Sequence, residues 1–276
     1  MTLSKSETSA PGWAVITGAS AGLGADFARQ LAARGHDVVV TARRRDRLEQ
    51  LANSVRAKHA VQALVVQCDL GAADGPAHLL EALQSKEIVP TVFVNNAGFG
   101  VHGLAIEQPV QRHLEMLDLN VRAFTELALT IAAQMVERGS GSIINIGSTG
   151  SFQPSPYVAA YAATKAYVLS FSEALAWELE PKGVHVLAHC PGPTRTEFFD
   201  AAKMHLGVGD SLFMSSEQCV ALALRALHNR QRVCVPGFMN ALGAWLARVS
   251  PQRWSTAIAA KVMRPAPPPA LPTAKG

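Results

Sequence analysis

The sequence lacks any long uninterrupted apolar stretch, although 49% of its 276 residues are hydrophobic. No segment approaches the roughly 20 consecutive apolar residues that a membrane-spanning helix needs. The amino-terminal segment, residues 1–12, is polar and has no apolar core like that of a secretory signal peptide. These two absences predict a cytoplasmic protein.

Cysteine, aromatic residues and excess charge are also scarce. The four cysteines form neither a C-x-x-C pair nor a cluster with histidine, so no metal site is predicted. The net charge is only +4, aromatic residues make up 6%, and the one dense basic run lies at residues 43–47. A nucleic-acid-binding face needs a broader basic surface with interleaved aromatic residues, so no nucleic-acid partner is expected.

Short apolar runs alternate with helical patterns along most of the chain. Because the runs are apolar throughout, the strands are expected to be buried on both faces of a parallel sheet covered by helices. Repeated strand–helix units with short connections predict a three-layer αβα Rossmann fold with a doubly wound, mostly parallel, seven-stranded sheet. The predicted strands are Trp13–Thr17, Val38–Val40, Ala63–Val66, Val92–Val94, Ser142–Ile146, Val184–Ala188 and Val233–Val235. Long helices are predicted over about 110–138 and 156–180.

The domain organisation follows from these patterns. Residues 1–11 are predicted to be flexible, residues 12–237 to form a single dinucleotide-binding catalytic domain, and residues 265–276, with five prolines, to be disordered. Residues 238–264 read as a helical extension with apolar residues at helical spacing. Docking of this extension on the domain or on a partner subunit is favoured, and a membrane surface is the alternative.

A glycine-rich turn follows the first predicted strand. Glycines there let the backbone turn sharply and approach a phosphate, and the following helix offers free N–H groups and the positive end of its dipole. Such turns also occur as plain connectors, but the position between a strand and a helix favours a dinucleotide site. The candidate cofactor residues are Gly18, Ser20, Ala21, Gly22, Leu23 and Gly24.

The end of the second predicted strand favours NADP(H) over NAD(H). An NAD site usually has an acidic residue there to bind the adenosine ribose hydroxyl, whereas this strand ends in Ala42 and Arg43. Ala42 leaves space for a 2′-phosphate, which Arg43 can bind with two hydrogen bonds. Arg44 and Arg45 fit either a phosphate contact or a solvated first helical turn.

A tyrosine and a lysine four residues apart follow the fifth predicted strand. Tyr161 and Lys165 would share one helix face. Opposite charges about 4 Å apart attract by ~4 kcal/mol at an effective dielectric of ~20, so Lys165 is expected to lower the pKa of the Tyr161 phenol towards the useful range for acid–base catalysis. Ser148 could hydrogen-bond a substrate oxygen. Alone, such a pair is usually a surface feature, but here it follows the other motifs in order.

Taken together, these motifs resemble those of the short-chain dehydrogenase/reductase family in its compact form, over about residues 12–237. The resemblance implies a catalytic tetrad of Asn120, Ser148, Tyr161 and Lys165. Lys165 would also hold the nicotinamide ribose, and Asn120 would support a proton-relay water. Further implied cofactor contacts are Asp69, Leu70, Asn96, Ala97, Gly98, Pro191, Gly192, Thr194 and Thr196.

The predicted function is NADP(H)-dependent hydride transfer between a carbonyl compound, an apolar ketone or aldehyde, and its alcohol. An NAD-dependent alcohol dehydrogenase and an NADP(H)-binding regulatory protein without turnover are the alternatives. Segments 149–156 and 195–216 are expected to lack regular structure and to set specificity, the second either as an apolar lid or as a packed helix. The resemblance also implies a homodimer or homotetramer assembled through the two long helices.

Overall fold

The computed structural model describes residues 11–198, 202, 204 and 213–265. The amino-terminal segment predicted to be flexible and the proline-rich tail predicted to be disordered lie outside the described residues, apart from residues 11 and 265, and so does most of segment 199–212. The predicted domain boundaries at both ends therefore stay predictions.

The predicted seven-stranded parallel sheet is confirmed. Its strands are β1 Trp13–Thr17, β2 Asp37–Ala42, β3 Ala63–Gln67, β4 Val92–Asn95, β5 Gly141–Ile146, β6 Val184–His189 and β9 Val233–Cys234. They lie in the order β3-β2-β1-β4-β5-β6-β9, and every pairing is parallel. The order reverses at β1 and β4, which is the point where doubly wound sheets open a ligand crevice. A separate pair of short strands joins β7 Thr194–Arg195 to β8 Met214–Ser215.

Helices cover both faces of this sheet and give the three predicted layers. One large apolar core joins the sheet to the helices Gly22–Ala32, Arg45–Lys58 and Ser216–His228, and a second joins it to the helices Gly75–Gln84, Phe124–Arg138 and Ala159–Leu179. All four cysteines are buried and free, and they pack as small core residues. The helices are α1 Gly22–Ala32, α2 Arg45–Lys58, α3 Gly75–Gln84, α4 Val110–Leu117, α5 Phe124–Arg138, α6 Ala159–Leu179, α7 Ser216–His228, α8 Phe238–Val249 and α9 Gln252–Met263.

The secondary structure of two segments differs from the prediction. The predicted helix over 110–138 is divided by a π-helical stretch, Asp118–Ala123, whose wider turn brings Asn120 into the interior. Residues 149–156 were expected to be irregular, but Thr149–Phe152 forms a 3-10 turn. Its start is capped by Ser148, whose Oγ accepts a hydrogen bond from the Gly150 N–H.

Residues 238–264 form two consecutive helices, as expected, but their apolar residues do not all face the domain. Ala244 of α8 and Ala259 of α9 are buried, whereas Trp245 and Trp254 are exposed. No helix in the described part of the chain is long and apolar enough to cross a membrane.

Candidate active site

The glycine-rich turn between β1 and α1 has the backbone shape of a phosphate-binding loop. Gly18 and Gly22 have φ angles of 65° and 53°, in the left-handed region that favours glycine. A Cβ on Gly24 would lie 2.4 Å from the Gly18 carbonyl oxygen, so only glycine allows this packing. Ala21 precedes α1 without a capping side chain, which leaves the first helical N–H groups available to a phosphate.

The arginines after β2 lie at the same end of the cleft. Arg43 and Arg44 both line it. Arg44 donates to Ser20 Oγ from Nε and Nη2, at 3.2 and 2.9 Å, and to Glu197 at 2.8 Å. Arg47 is also bonded to Glu197, and the two guanidinium groups lower the pKa of the Glu197 carboxyl. The arginines therefore tie the glycine loop to the segment after β7, a connection the sequence did not indicate.

The ends of β3 and β4 form the walls beside this loop. Asp69 and Leu70 line the cleft, and Asp69 Oδ1 accepts from the Gly71 N–H at 3.1 Å. Asn96 donates from its side-chain amide to the Thr17 carbonyl at 2.8 Å, which holds the end of β4 against the glycine loop. A Cβ on Gly98 would meet Asn120 Oδ1 at 2.9 Å, so this wall approaches the interior closely.

The reactive end of the cleft contains Ser148, Tyr161 and Lys165. Tyr161 and Lys165 come from the same face of α6, as predicted, and the Ser148 hydroxyl hydrogen-bonds the Tyr161 phenol. Ser151 fixes their relative positions, because its Oγ donates to the Lys165 carbonyl at 2.7 Å and accepts from the Ser148 N–H at 3.1 Å. A hydroxyl, a phenol and an amine therefore converge on one volume.

The expected direction of the Tyr161 pKa is wrong for this structure. Burial raises the pKa of Tyr161 to about 12, although the hydrogen bond from Ser148 acts in the opposite direction. Lys165 Nζ lies 5.9 Å from the centre of the Tyr161 ring and donates to the Ile146 carbonyl at 2.8 Å. The desolvation of the phenol exceeds the attraction of the ammonium, and Tyr161 carries its proton at neutral pH.

Lys165 is itself almost fully buried. Burial lowers the pKa of Lys165 from 10.5 to about 8, because no carboxylate in the described part of the chain compensates the loss of water around the ammonium. At neutral pH the amine is still mostly protonated. A charge held at this depth is costly to stability, and such groups are concentrated at functional sites.

We expect Lys165→Met to change how stability depends on pH. Because folding lowers the pKa of Lys165 from 10.5 to about 8, the unfolded chain binds more protons between those pH values, and wild-type stability rises with pH across that window. At ~1.4 kcal/mol per pH unit, the free energy of unfolding of the wild type should gain about 2–3 kcal/mol relative to Lys165→Met between pH 7.5 and pH 10. Urea denaturation without added cofactor measures this difference.

The matched control is Lys182→Met, which removes an exposed lysine. Its stability difference from wild type should stay constant over the same pH range. A constant difference for Lys165→Met as well would contradict the buried, charged state of Lys165.

Asn120 lies behind the reactive groups rather than in the cleft. Its side-chain amide donates to the Phe99 carbonyl at 2.9 Å and to Thr164 Oγ1 at 3.1 Å, and its Oδ1 accepts from the Phe99 N–H at 3.1 Å. These bonds join the π-helical stretch to α6 and to the end of β4. In this structure Asn120 braces the wall of the site, and its role in proton relay stays a prediction.

The segment after β6 closes the cleft from the other side. Thr194 Oγ1 donates to the Gly192 carbonyl at 3.0 Å, which shapes the turn. Thr196 packs against the glycine loop so closely that a Cβ on Gly22 would lie 2.9 Å from Thr196 Cγ2. This segment and the glycine loop therefore face each other across the predicted cofactor path.

Beyond Tyr161 the cleft becomes apolar. The Tyr161 ring contacts Phe198, with ring centres 5.4 Å apart, and both pack on a cluster that includes Val158, Met204 and Met263. Val158 and Met263 were not identified from the sequence. Met263 ends α9, and nothing in its local pattern indicates that this helix returns to the cleft.

The fold thus brings nearly all of the sequence-predicted residues to one cleft. Only Gly24 and Asn120 do not line it, and both lie directly behind its wall. In the described part of the chain no group of three or more histidine, cysteine, aspartate or glutamate residues is placed to hold a metal ion. The predicted residues that line the cleft are Gly18, Ser20, Ala21, Gly22, Leu23, Arg43, Asp69, Leu70, Asn96, Ala97, Gly98, Ser148, Tyr161, Lys165, Pro191, Gly192, Thr194 and Thr196.

Comparison with known proteins identifies similar chains. The family model described as short chain dehydrogenase matches residues 12–206. A very-long-chain 3-oxoacyl-CoA reductase of Scheffersomyces stipitis is 36% identical over 186 residues, which are 63% of this chain and 53% of the relative. The corresponding reductase of Rattus norvegicus is 32% identical over 196 residues, 70% of this chain and 60% of the relative. The chain thus spans little more than half the length of these relatives.

Solved structures match over more of their length. A short-chain dehydrogenase from Sphingobium yanoikuyae in complex with NADPH is 33% identical with a TM-score of 0.78, covering 88% of this chain and 97% of that one. The bulky-bulky ketone specific alcohol dehydrogenase from Comamonas testosteroni is 33% identical with a TM-score of 0.74, covering 89% of each chain.

Proposed function

Because the chain belongs to the short-chain dehydrogenase/reductase family, we propose that it is an NADP(H)-dependent oxidoreductase that interconverts an apolar ketone or aldehyde and its alcohol. One observation carries this proposal. Ser148, Tyr161 and Lys165 converge at one end of a cleft whose other end is the glycine-rich turn and the Arg43–Arg44 pair. The proposed location is the cytoplasm.

The residues of the cleft fit a nicotinamide dinucleotide. The uncapped start of α1 and the left-handed glycines suit a pyrophosphate, and Arg43 and Arg44 suit the 2′-phosphate that distinguishes NADP from NAD. Lys165 would hold the nicotinamide ribose, and Thr194 or Thr196 the carboxamide. When bound, the nicotinamide supplies or accepts the hydride.

Tyr161 is the proposed proton donor in carbonyl reduction. With a pKa near 12 the phenol is protonated at neutral pH, and it transfers this proton to the substrate oxygen as that oxygen gains negative charge. Ser148 can hydrogen-bond the same oxygen. The Lys165 ammonium and the Ser148 hydroxyl then stabilise the phenolate that remains, so the charge is not left unpaired in a buried site.

The apolar end of the cleft supports the proposed substrate class. Phe198, Met204 and Met263 surround the space next to Tyr161 and offer large apolar contacts. One similar protein is named as a very-long-chain 3-oxoacyl-CoA reductase and another as a bulky-bulky ketone specific alcohol dehydrogenase, and both names are compatible with an apolar ketone here.

A homodimer or homotetramer is proposed for the assembled protein. Helices α4, α5 and α6 present exposed apolar side chains, including Leu114, Leu129 and Trp177. Burial of this surface against a second copy would remove them from water.

The proposed function is tested by following NADPH absorbance with a panel of carbonyl compounds. We expect kcat/KM for bulky apolar ketones and long-chain 3-oxoacyl thioesters to exceed that for polyhydroxylated ketones of equal carbon number by at least ~10-fold, because each buried methylene contributes ~1 kcal/mol or more to transition-state binding. Failure of every carbonyl to consume NADPH, together with failure of every matching alcohol to reduce NADP, would contradict the proposal.

A further inference from the structure

The carboxyl-terminal helices α8 and α9 each leave an apolar face in water. On α8, Phe238 and Trp245 are 79% and 58% exposed, and on α9, Trp254 and Ile258 are 58% and 65% exposed. Further exposed apolar residues on the α8 face are Met239, Leu242, Leu246 and Val249. Single exposed apolar residues are ordinary, but such a series on consecutive helices, rich in tryptophan, marks an interaction surface.

The charged side chains carried by residues 238–264 all have one sign. No aspartate or glutamate occurs anywhere after Glu217, whereas Arg253, Lys261 and Arg264 are exposed on or beside α9. Arg248 on α8 is bonded to Glu173 of α6. The carboxyl-terminal surface, defined here as residues 238–264, is therefore apolar and basic with no acidic side chain of its own.

The combination of apolar and basic side chains favours one kind of partner over another. Two copies that met through this surface would bring like charges together without acidic residues to pair them, which is unfavourable. An anionic lipid surface instead accepts basic side chains at its headgroups, tryptophan at the interface and apolar side chains below it. We propose that residues 238–264 dock the protein on an anionic membrane surface.

The docked surface adjoins the mouth of the cleft. Met263 at the end of α9 lines the cleft, and its carbonyl contacts His102 Nε2 at 2.8 Å. At the other helix, Arg248 stacks on Phe152 of the turn that follows Ser148, 5.1 Å from its ring centre. Docking therefore holds the apolar end of the cleft close to the lipid.

The position of this surface beside the mouth of the cleft gives a substrate a route from the membrane to the site. An apolar carbonyl compound dissolved in the bilayer could enter between Met263 and Phe198 without crossing bulk water. That use rests on the proposed function, whereas docking itself does not. Vesicle binding can therefore succeed or fail independently of turnover.

The test is cosedimentation of the full chain with vesicles of phosphatidylcholine, with or without about one third phosphatidylglycerol. We expect at least ~10-fold stronger partitioning onto the anionic vesicles, weakened by salt. Trp254→Ser should reduce partitioning by ~10-fold, whereas Trp177→Ser, which removes an exposed tryptophan from α6, should leave it unchanged.

A second pair of variants distinguishes binding through the carboxyl-terminal surface from attraction by the overall positive charge of the protein. Arg253→Glu/Lys261→Glu should weaken binding to anionic vesicles by ~10-fold or more. Lys58→Glu/Lys86→Glu, with the same net charge but with exposed lysines at the last residue of α2 and in the turn after α3, should retain most of the binding. Equal losses in both pairs, or no binding of the wild type at low salt, would overturn the proposal.

Self-association is the remaining outcome. If Trp254→Ser changes the mass measured by sedimentation equilibrium and the wild type does not bind vesicles, the carboxyl-terminal surface is a protein interface and the proposal is wrong. Reduction of a water-soluble ketone, measured in parallel, reports on the proposed function alone.

Discussion

Tyr161→Phe is expected to lower kcat for carbonyl reduction by ~10²–10⁴-fold while NADPH binding stays within about twofold. The substitution removes the phenolic proton that lies against the apolar end of the cleft and keeps the ring that packs on Phe198. Because burial holds the phenol pKa near 12, no deprotonated fraction of Tyr161 contributes to binding at neutral pH. The loss should therefore appear in the chemical step rather than in affinity.

The matched control is Tyr167→Phe on the same helix, six residues further along. Tyr167 is at the surface, and its hydroxyl pairs with Thr125 at 2.7 Å outside the cleft. Its removal should leave kcat unchanged within about twofold. Steady-state rates and NADPH fluorescence titrations measure both quantities. Identical rates for wild type and Tyr161→Phe across the carbonyl panel would remove Tyr161 from the mechanism.

The positions of the candidate site residues were predictable because a parallel sheet fixes them. Features that follow β1, β2, β4, β5 and β6 must meet at the carboxyl edge, whatever the intervening helices do. Tyr161 and Lys165 share a helix face for an equally local reason, the 3.6-residue period. Helix α3, Gly75–Gln84, was not predicted, but its absence from the prediction did not disturb this edge.

Properties that depend on burial were not predictable in the same way. The spacing of Tyr161 and Lys165 suggested a lowered phenol pKa, but desolvation and the bond from Lys165 to Ile146 decide its direction. The Arg44–Glu197 pair joins residues 153 positions apart, and the return of Met263 to the cleft depends on tertiary packing. Periodicity carries no information about such contacts.

Arg43→Ala/Arg44→Ala is expected to lower the ratio of kcat/KM for NADPH over NADH by ~10²–10³-fold. A hydrogen bond to a charged group contributes about 1.5–3 kcal/mol, and two arginines facing one phosphate would contribute at least two such bonds. The value of kcat/KM should fall for NADPH alone, since NADH has no 2′-phosphate for either guanidinium to bind. Steady-state kinetics with each cofactor at a fixed ketone concentration measures the ratio.

The single variants distinguish the contributions of Arg43 and Arg44 to the preference for NADPH. The Arg43 backbone carbonyl accepts a hydrogen bond from Gln67 Nε2 at 3.0 Å. Its guanidinium group makes no hydrogen bond or ion pair within the described part of the chain, so it can turn to a phosphate at little cost. Arg44 must give up its bond with Glu197 in order to bind the phosphate. Arg44→Ala should therefore lower the ratio of kcat/KM for NADPH over NADH less than Arg43→Ala does. Arg45→Ala, which removes only an exposed pair with Glu49, is the control. If NADH binds as tightly as NADPH and Arg43→Ala leaves the ratio unchanged, the chain does not select NADP(H).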